Sequence, residues 1–199
     1  MSPSYPHYPG PWTAQPVEGE RHCYILLDPN DVLVGACRFR NSQRGWVGFT
    51  LAALAPEIYE AFARLLGVET NGDDHPLPHD VWNNLRNVIP EDLQTRFSLF
   101  WTMEQCDELP EFHYNYTDRE GTHTVLAVSL PDDGMMSIFA NRTTSSLINY
   151  APMFMSLTDR IIAMSKAHCL AKSLDDSALP SIFDILEKIQ YISDGAKQA

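Results

Sequence analysis

The chain has 199 residues, 44% of them apolar and 20% charged, within the ordinary range for a globular domain. Its formal net charge is −12 at pH 7, and a surface of that sign repels phosphate, which disfavours nucleic acid and anionic membranes as partners. No apolar run approaches the roughly 20 residues of a membrane helix. Residues 1–10 lack the basic start and apolar centre of a signal peptide, so we expect a cytoplasmic protein.

The domain organisation predicted from length is one domain with a short segment at each end. Residues 1–20 contain five prolines and little apolar periodicity, which predicts an extended N-terminal arm with Trp12 packed back on the body. Residues 21–175 are predicted to form the α+β domain. Residues 176–199 are predicted to form a C-terminal helix packed on that domain or on a partner.

The first predicted element is a β-hairpin. Apolar runs at 22–27 and 32–39 flank Asp28-Pro29-Asn30-Asp31, a composition typical of a type I turn. Residues 46–49 are a candidate third strand. The four cysteines form no closely spaced pair, and Cys23, Cys37 and Cys169 lie in apolar runs that predict buried thiols.

Two helices are expected next. Pro56 suits a first helical turn, because its missing N–H has no helical partner there, and Gly67 is placed to end that helix. Ile58, Phe62 and Leu65 recur at helical spacing between them. A second helix is predicted from an N-cap at Asp80 to Val88.

Alternating apolar residues begin near Arg96 and predict a four-strand antiparallel meander. Its strands are expected at 97–103, 112–116, 122–130 and 135–140. Pro152 is then expected to open a long helix to about Lys172, followed by a last helix from about Ser177. This order predicts an α+β fold, with an antiparallel sheet of a hairpin plus a four-strand meander covered by helices.

Two polar constellations are candidates for chemistry. The loop from Asp73 to Asp80 carries two histidines and three carboxylates, but two prolines interrupt the spacing that a metal site needs. Cys106 with His113 could form a nucleophile and base, yet neighbouring acids favour the unreactive thiol. The sequence also lacks the common phosphate-binding, dinucleotide-binding and hydrolase motifs. A catalytic role is therefore not favoured, and no catalytic residue, metal or cofactor is assigned.

The most informative feature is a cluster of methionines and aromatic residues in the second half. Between sheet and helix it could line a partner groove or a small-molecule pocket, and the alternative that it simply fills the core stays open. Its members are Trp101, Phe112, Tyr114, Tyr116, Met135, Phe139, Tyr150, Met153 and Phe154.

Two stretches resemble sensor domains. The hairpin from Tyr24 to Phe39 is similar to the opening hairpin of PAS-type domains. The stretch from Gly121 to Lys172 is similar to the last hairpin and helix of the autoinducer-binding domain in LuxR-type regulators, and residues 187–195 resemble the start of that family's DNA-binding domain. The resemblance implies a PAS/GAF-like α/β sandwich. The family's ligand cluster and a complete helix-turn-helix are missing, so no functional residue is transferred.

A further likeness is carried by Gly10-Pro11-Trp12 and by residues 52–61, which look like stretches of short phage-associated proteins and imply a bacterial or phage origin. From all these features we expect a regulatory protein without catalysis. It would bind a protein partner, such as a transcriptional regulator, through an apolar groove with an acidic rim. The alternatives are a domain that senses a small apolar ligand, and a hydrolase or metal enzyme using 73–80 or Cys106 with His113. A homodimer is compatible with the same features.

Overall fold

The computed structural model describes residues 9–68, 70, 76–89, 102–105, 113–117, 124–129, 135–158, 161 and 174–196. In 102–105, 113, 124–126, 129, 135–142 and 192–196 it describes the main chain alone. The described residues form an α+β fold with an antiparallel sheet, as predicted. The elements are β1 Thr13–Pro16, β2 Cys23–Leu27, β3 Leu33–Phe39, α1 Gln43–Ala53, α2 Ala55–Leu65, α3 Pro78–Val88, β4 Thr102–Gln105, β5 His113–Thr117, β6 Thr124–Ser129, α4 Met135–Ser156, a 3-10 turn Asp176–Ala178 and α5 Leu179–Ala196.

The sheet has the order β1-β2-β3-β6-β5-β4, and every neighbouring pair is antiparallel. The pairing of β3 with β6 joins the first and second halves of the chain. Along one row of this register lie Tyr24, Cys37, Val128 and Tyr114. Because directly paired residues share a face, this row marks the face of the sheet that packs against the helical layer.

The predicted hairpin is confirmed as β2 and β3. The Asp28 carboxylate accepts hydrogen bonds from the main-chain N–H groups of Asn30 and Val32, at 2.8 and 2.9 Å. The Asp31 N–H donates to the Asp28 carbonyl at 3.0 Å, and Asp31 has a φ of 61°. Aspartate tolerates this left-handed conformation better than most residues, which explains why the turn closes without glycine. Trp12 is buried, also as predicted, and β1 pairs with β2.

The prediction of a third strand at 46–49 is wrong, because these residues lie in α1. Ser42 caps that helix, since its hydroxyl accepts a hydrogen bond from the Gly45 N–H at 3.1 Å. A short apolar run does not by itself distinguish a strand from a buried helix. Ser42 directly precedes Gln43, the first residue of α1, and its capping bond favours a helix here.

The next helix, α2, is confirmed, with Pro56 in its first turn and Gly67 beyond its end. Gly67 has a φ of 69°, and its N–H donates to the Arg64 carbonyl while the Val68 N–H donates to the Ala63 carbonyl. These two bonds form a Schellman motif, which requires the left-handed conformation that glycine adopts without strain.

The predicted cap of the following helix is wrong. Helix α3 begins at Pro78, with Leu77 at the N-cap, so Asp80 lies inside the first turn. A proline at the start of a helix carries no N–H that needs a partner, which removes part of the need for a side-chain cap. At that position the negative charge of Asp80 still favours the N-terminal end of the helix dipole.

The largest correction concerns residues 135–156. The fourth strand predicted at 135–140 is wrong, as is a helix start at Pro152, because both segments belong to the single helix α4. Pro152 has no N–H to donate within the helix, yet α4 continues through it. The first three meander strands have described counterparts in β4, β5 and β6, although residues 97–101 of the strand predicted at 97–103 lie outside the described residues.

Helix α4 lies at the centre of the helical layer and contacts α1, α2 and α3. Thr144, Ser145 and Ile148 are all buried on it, and none of its described side chains from 143 to 156 is exposed. The Tyr116 hydroxyl of β5 donates to the Ser145 carbonyl at 3.1 Å. Small hydroxyl side chains let neighbouring elements approach closely, and this bond ties the helix to the sheet.

Candidate functional site

The predicted methionine and aromatic cluster is mostly part of the hydrophobic core. Tyr114, Tyr116 and Phe154 are buried, and the Phe154 ring stacks on Phe62 with centroids 5.4 Å apart. Burial raises the pKa of the Tyr116 hydroxyl well above its usual range, because the phenolate would lose water. The positions of these three residues favour packing as their role.

Two members of the cluster are partly exposed. Tyr150 and Met153 lie on α4 and pack against the edge of the core. The pKa of Tyr150 is raised, first by burial and then by the charge of Asp80 on α3. Tyr150 and Asp80 are therefore close enough to interact electrostatically.

The structure describes no side chain for the remaining members of the cluster. Met135 and Phe139 lie on the helical main chain of α4 rather than on a strand. Trp101 and Phe112 lie outside the described residues. Whether any residue of the cluster binds a partner or ligand stays a prediction.

The polar constellations fall largely outside the described part of the chain. Residues 73–75 and Cys106 are not described, and His113 is described only as main chain. The His79 Nε2 lies 3.2 Å from the Asp80 Oδ1 at the start of α3, and both side chains are half exposed. Within the ranges described, no group of three or more histidine, cysteine or acidic side chains is arranged to hold a metal ion.

The predicted burial of two cysteines is confirmed. Cys23 and Cys37 are buried free thiols on β2 and β3. Burial, and secondarily the nearby Cys23, raises the pKa of the Cys37 thiol far above its usual range. A thiol held neutral in this way is a poor nucleophile, so Cys37 is structural.

A surface that the sequence did not indicate lies between α2 and α5. These two helices form a cleft of about 240 Å³. Its lining is charged on both helices, with a small apolar floor from Ala61 and Ile185. The other lining residues are Glu57, Glu60 and Arg64 of α2 and Ser181, Asp184 and Lys188 of α5.

Glu57 is the central group of this cleft, and its side chain is 26% exposed. Its Oε1 lies 3.4 Å from the Lys188 Nζ, a long contact that links α2 to α5. Its Oε2 is buried and has no hydrogen-bond partner among the described residues. Burial raises the pKa of Glu57, and Lys188 offsets only part of that effect.

Glu60 follows one helical turn later on the same helix. Its pKa is also raised, first by burial, while Arg64 lowers it and Glu57 raises it. Three carboxylates therefore share the cleft with two cations, since Asp184 adds to the two glutamates and Arg64 and Lys188 are the bases. The cleft retains negative charge that its own cations do not neutralise.

Beside the cleft, the outward side of α5 carries two large apolar side chains. Phe183 is 39% exposed and Tyr191 is 82% exposed. Glu187 lies between them, four residues from each, so the three follow the same side of the helix. We call Phe183, Glu187, Tyr191 and the cleft residues together the α2–α5 surface.

Part of this surface has a sequence signal. The predicted apolar side of the last helix consists of Ile182, Ile185, Leu186, Ile189 and Ile192, and all of those whose side chains are described are buried or half buried. Phe183 and Tyr191 fall outside that stripe, so they could have been singled out as apolar residues on the solvent side. The cleft itself has no such signal, because Glu57 and Lys188 are 131 residues apart.

Comparison with protein-family models, with curated proteins and with solved structures finds no match to this chain. Among the helices of the described residues, none is both long enough and apolar enough to cross a bilayer.

Proposed function

We propose that this chain is a regulatory protein without catalysis that binds a protein partner through the α2–α5 surface. The observation that carries the proposal is the pair of exposed aromatic side chains, Phe183 and Tyr191, beside a charged cleft. Aromatic residues are enriched at the centres of protein interfaces, where a polar rim surrounds them. Exposed apolar side chains that share one side of a helix mark a candidate interaction surface.

The surface lies in a different place from the groove expected from the sequence. Glu187 lies between the two aromatic residues along α5, and the cleft is lined by three carboxylates together with Arg64 and Lys188. With a formal net charge of −12, the whole chain would steer towards a basic partner. Such steering raises the rate of encounter and explains why the rim is acidic.

The small-molecule alternative has less support. Pockets for drug-sized ligands usually enclose about 300–1,000 Å³ and have mainly apolar walls. The cleft has about 240 Å³ and charged walls, and three of the aromatic residues predicted to line a pocket are buried in the core. A partner's side chain suits this opening better than a whole apolar ligand.

Site-specific photo-crosslinking tests the proposal. A benzophenone amino acid at position 191, in cells that naturally produce the chain, should trap one discrete protein. Val32 is also an exposed apolar residue but lies on the hairpin, so the same group at position 32 is the matched control. Equal trapping from both positions, or none from position 191, would contradict the proposal, and a product of twice the chain mass would identify a second copy as the partner.

A further inference from the structure

We infer that Phe183, Glu187 and Tyr191 of α5 form a docking row for an amphipathic helix of a protein partner, whose facing side carries a lysine or arginine between two apolar residues. We call these three residues the α5 row. The inference rests on the proposed function and specifies the partner's chemistry. It uses the outward side of α5 alone, since none of the three residues lines the cleft.

The α5 row has an apolar, an acidic and an apolar side chain in sequence along one side of the helix. Its members are four residues apart, so successive members are separated by about 6 Å along the axis. Phe183 is 39% exposed, Tyr191 is 82% exposed, and Glu187 is exposed between them. The complementary order on a partner is a basic side chain with an apolar one on each side.

The charge of Glu187 is open to a partner. Its neighbours three and four residues away on the helix are the two aromatic residues, Asp184 and Gln190, and none of them is basic. Lys188, the next residue along the chain, contacts Glu57 of α2 instead. Within the part of the chain that the structure describes, Glu187 forms no ion pair. The net charge of −12 on the whole chain adds to the attraction for a basic partner.

The narrow shape of the α5 row favours a helix as the partner element. Asp184 and Gln190 are exposed polar residues on its two sides, so the apolar strip is about one side chain wide. A helix that presents residues i, i+4 and i+8 has the same spacing as this strip, because both repeat at one helical turn. Burial of the aromatic residues would provide the affinity, and the basic residue opposite Glu187 would provide the specificity.

The test uses the full chain and two fluorescein-labelled, alanine-rich peptides of about 18 residues, which is long enough to form a helix in water. The lysine-row peptide carries leucine, lysine and leucine at i, i+4 and i+8 and a glutamate on its far side. The glutamate-row peptide exchanges the lysine and the glutamate, so the two have the same composition and net charge. Fluorescence anisotropy at physiological salt should show the native chain binding the lysine-row peptide about fivefold or more tightly.

Three single variants of the chain locate this preference. Glu187→Lys reverses the charge of the α5 row and should reverse the preference, and Glu187→Gln should reduce it to less than about twofold. Glu18→Lys makes the same change in net charge as Glu187→Lys at an exposed residue outside the row, and should keep the native preference. Circular dichroism of each variant confirms that it is folded.

A third peptide tests the helical form of the partner. It is the lysine-row peptide with proline at two central positions on its far side, which breaks the helix and keeps the side chains of the row. It should bind the native chain about tenfold more weakly than the lysine-row peptide, because its leucines no longer share one side. Equal affinity for these two peptides would overturn the inference.

Three other results would also contradict it: no binding of any peptide, equal affinity for the lysine-row and glutamate-row peptides, or a reversed preference in Glu18→Lys as well as in Glu187→Lys. If the preference is absent but the crosslink from position 191 persists, the inference fails and the proposed function stands. If the preference is present but position 191 traps no protein, the α5 row keeps its specificity for a basic helix and the proposed function fails.

Discussion

In helices α4 and α5, some polar side chains are buried and some large apolar side chains are exposed. The segment 143–146 of α4 is Thr-Thr-Ser-Ser, yet Thr143, Thr144 and Ser145 are buried. Helix α5 has a similar share of large apolar residues, yet it leaves Phe183 and Tyr191 in solvent. Small hydroxyl side chains permit the close packing of a central helix, whereas a peripheral helix has one covered side. The position of a helix in the layer therefore determines which of its side chains are buried. An apolar side chain that stays exposed indicates a candidate binding surface.

The largest expected difference in stability is between the alanine variants of one phenylalanine from each of these helices. Phe154→Ala removes a fully buried ring that packs against Phe62, Tyr59 and Trp82, and should lower the free energy of unfolding by about 3–5 kcal/mol. Phe183→Ala should change it by less than about 1 kcal/mol, since the ring is already partly exposed. Urea denaturation measures both, and similar costs for the two variants would show that the helices do not differ in this way.

The next effect tests the close packing of α4. Ser145→Leu inserts a large side chain at a site that is 1% exposed, and overpacking should lower the free energy of unfolding by about 1–3 kcal/mol. Asn84→Leu makes a similar change at an exposed position of α3 and should cost less than about 0.5 kcal/mol. A tolerated Ser145→Leu would mean that α4 has room beside it.

A pair of Tyr→Phe variants compares a buried hydroxyl that bonds to α4 with an exposed hydroxyl on α5. Tyr116→Phe removes the hydroxyl that donates to the Ser145 carbonyl, at a cost of about 1 kcal/mol. Tyr191→Phe removes an exposed hydroxyl and should leave the free energy of unfolding unchanged within error. Thermal or urea unfolding compares them, and equal effects would show that the bond to α4 contributes nothing.

The smallest effect concerns the pH dependence of Glu57. Burial raises its pKa in the folded chain, so the ionised carboxylate opposes folding as pH rises through that value. Lys188 reduces the penalty, and Glu60, Arg64 and Asp184 also face the cleft. Below the unfolded pKa both states are protonated and the penalty disappears. Glu57→Gln should therefore match the native free energy of unfolding in acid and exceed it slightly at neutral pH.

The control for that measurement is Glu18→Gln, which makes the same charge change at an exposed residue. Urea denaturation at several pH values from acid to neutral gives the difference between each variant and the native chain. A difference for Glu57→Gln that falls as pH rises would contradict the expected direction. Equal pH dependence in the two variants would assign the effect to net charge.

Local signals predicted much of the fold. The hairpin turn at Asp28, the helix between Pro56 and Gly67 and the last helix each have a start or stop signal that acts within a few residues. The wrong predictions concern segments whose structure depends on distant packing. Residues 135–140 are a short apolar run, and a strand and a buried helix share that pattern. The predicted start at Pro152 is wrong because tertiary contacts stabilise a helix on both sides of the proline.

The candidate site was less predictable than the fold. Aromatic residues suggest binding by their type, and those with described side chains are mostly core, as the alternative interpretation allowed. The cleft depends on charged residues from helices that are distant in sequence, and their spacing within each helix is ordinary. Only the fold places Glu57 against Lys188, and only burial leaves one glutamate oxygen without a partner among the described residues.

Whether the outward side of α5 binds a protein can be decided by one paired experiment. The crosslinking group is moved to position 187, and the trapped complex is quantified in Phe183→Ser/Tyr191→Ser and in the control Val32→Ser/Leu33→Ser, which removes two exposed apolar residues from the hairpin. We predict that the α5 variant loses the complex while its free energy of unfolding stays within about 1 kcal/mol of native, and that the hairpin variant keeps the complex. An undiminished complex in the α5 variant would show that Phe183 and Tyr191 do not form the binding surface.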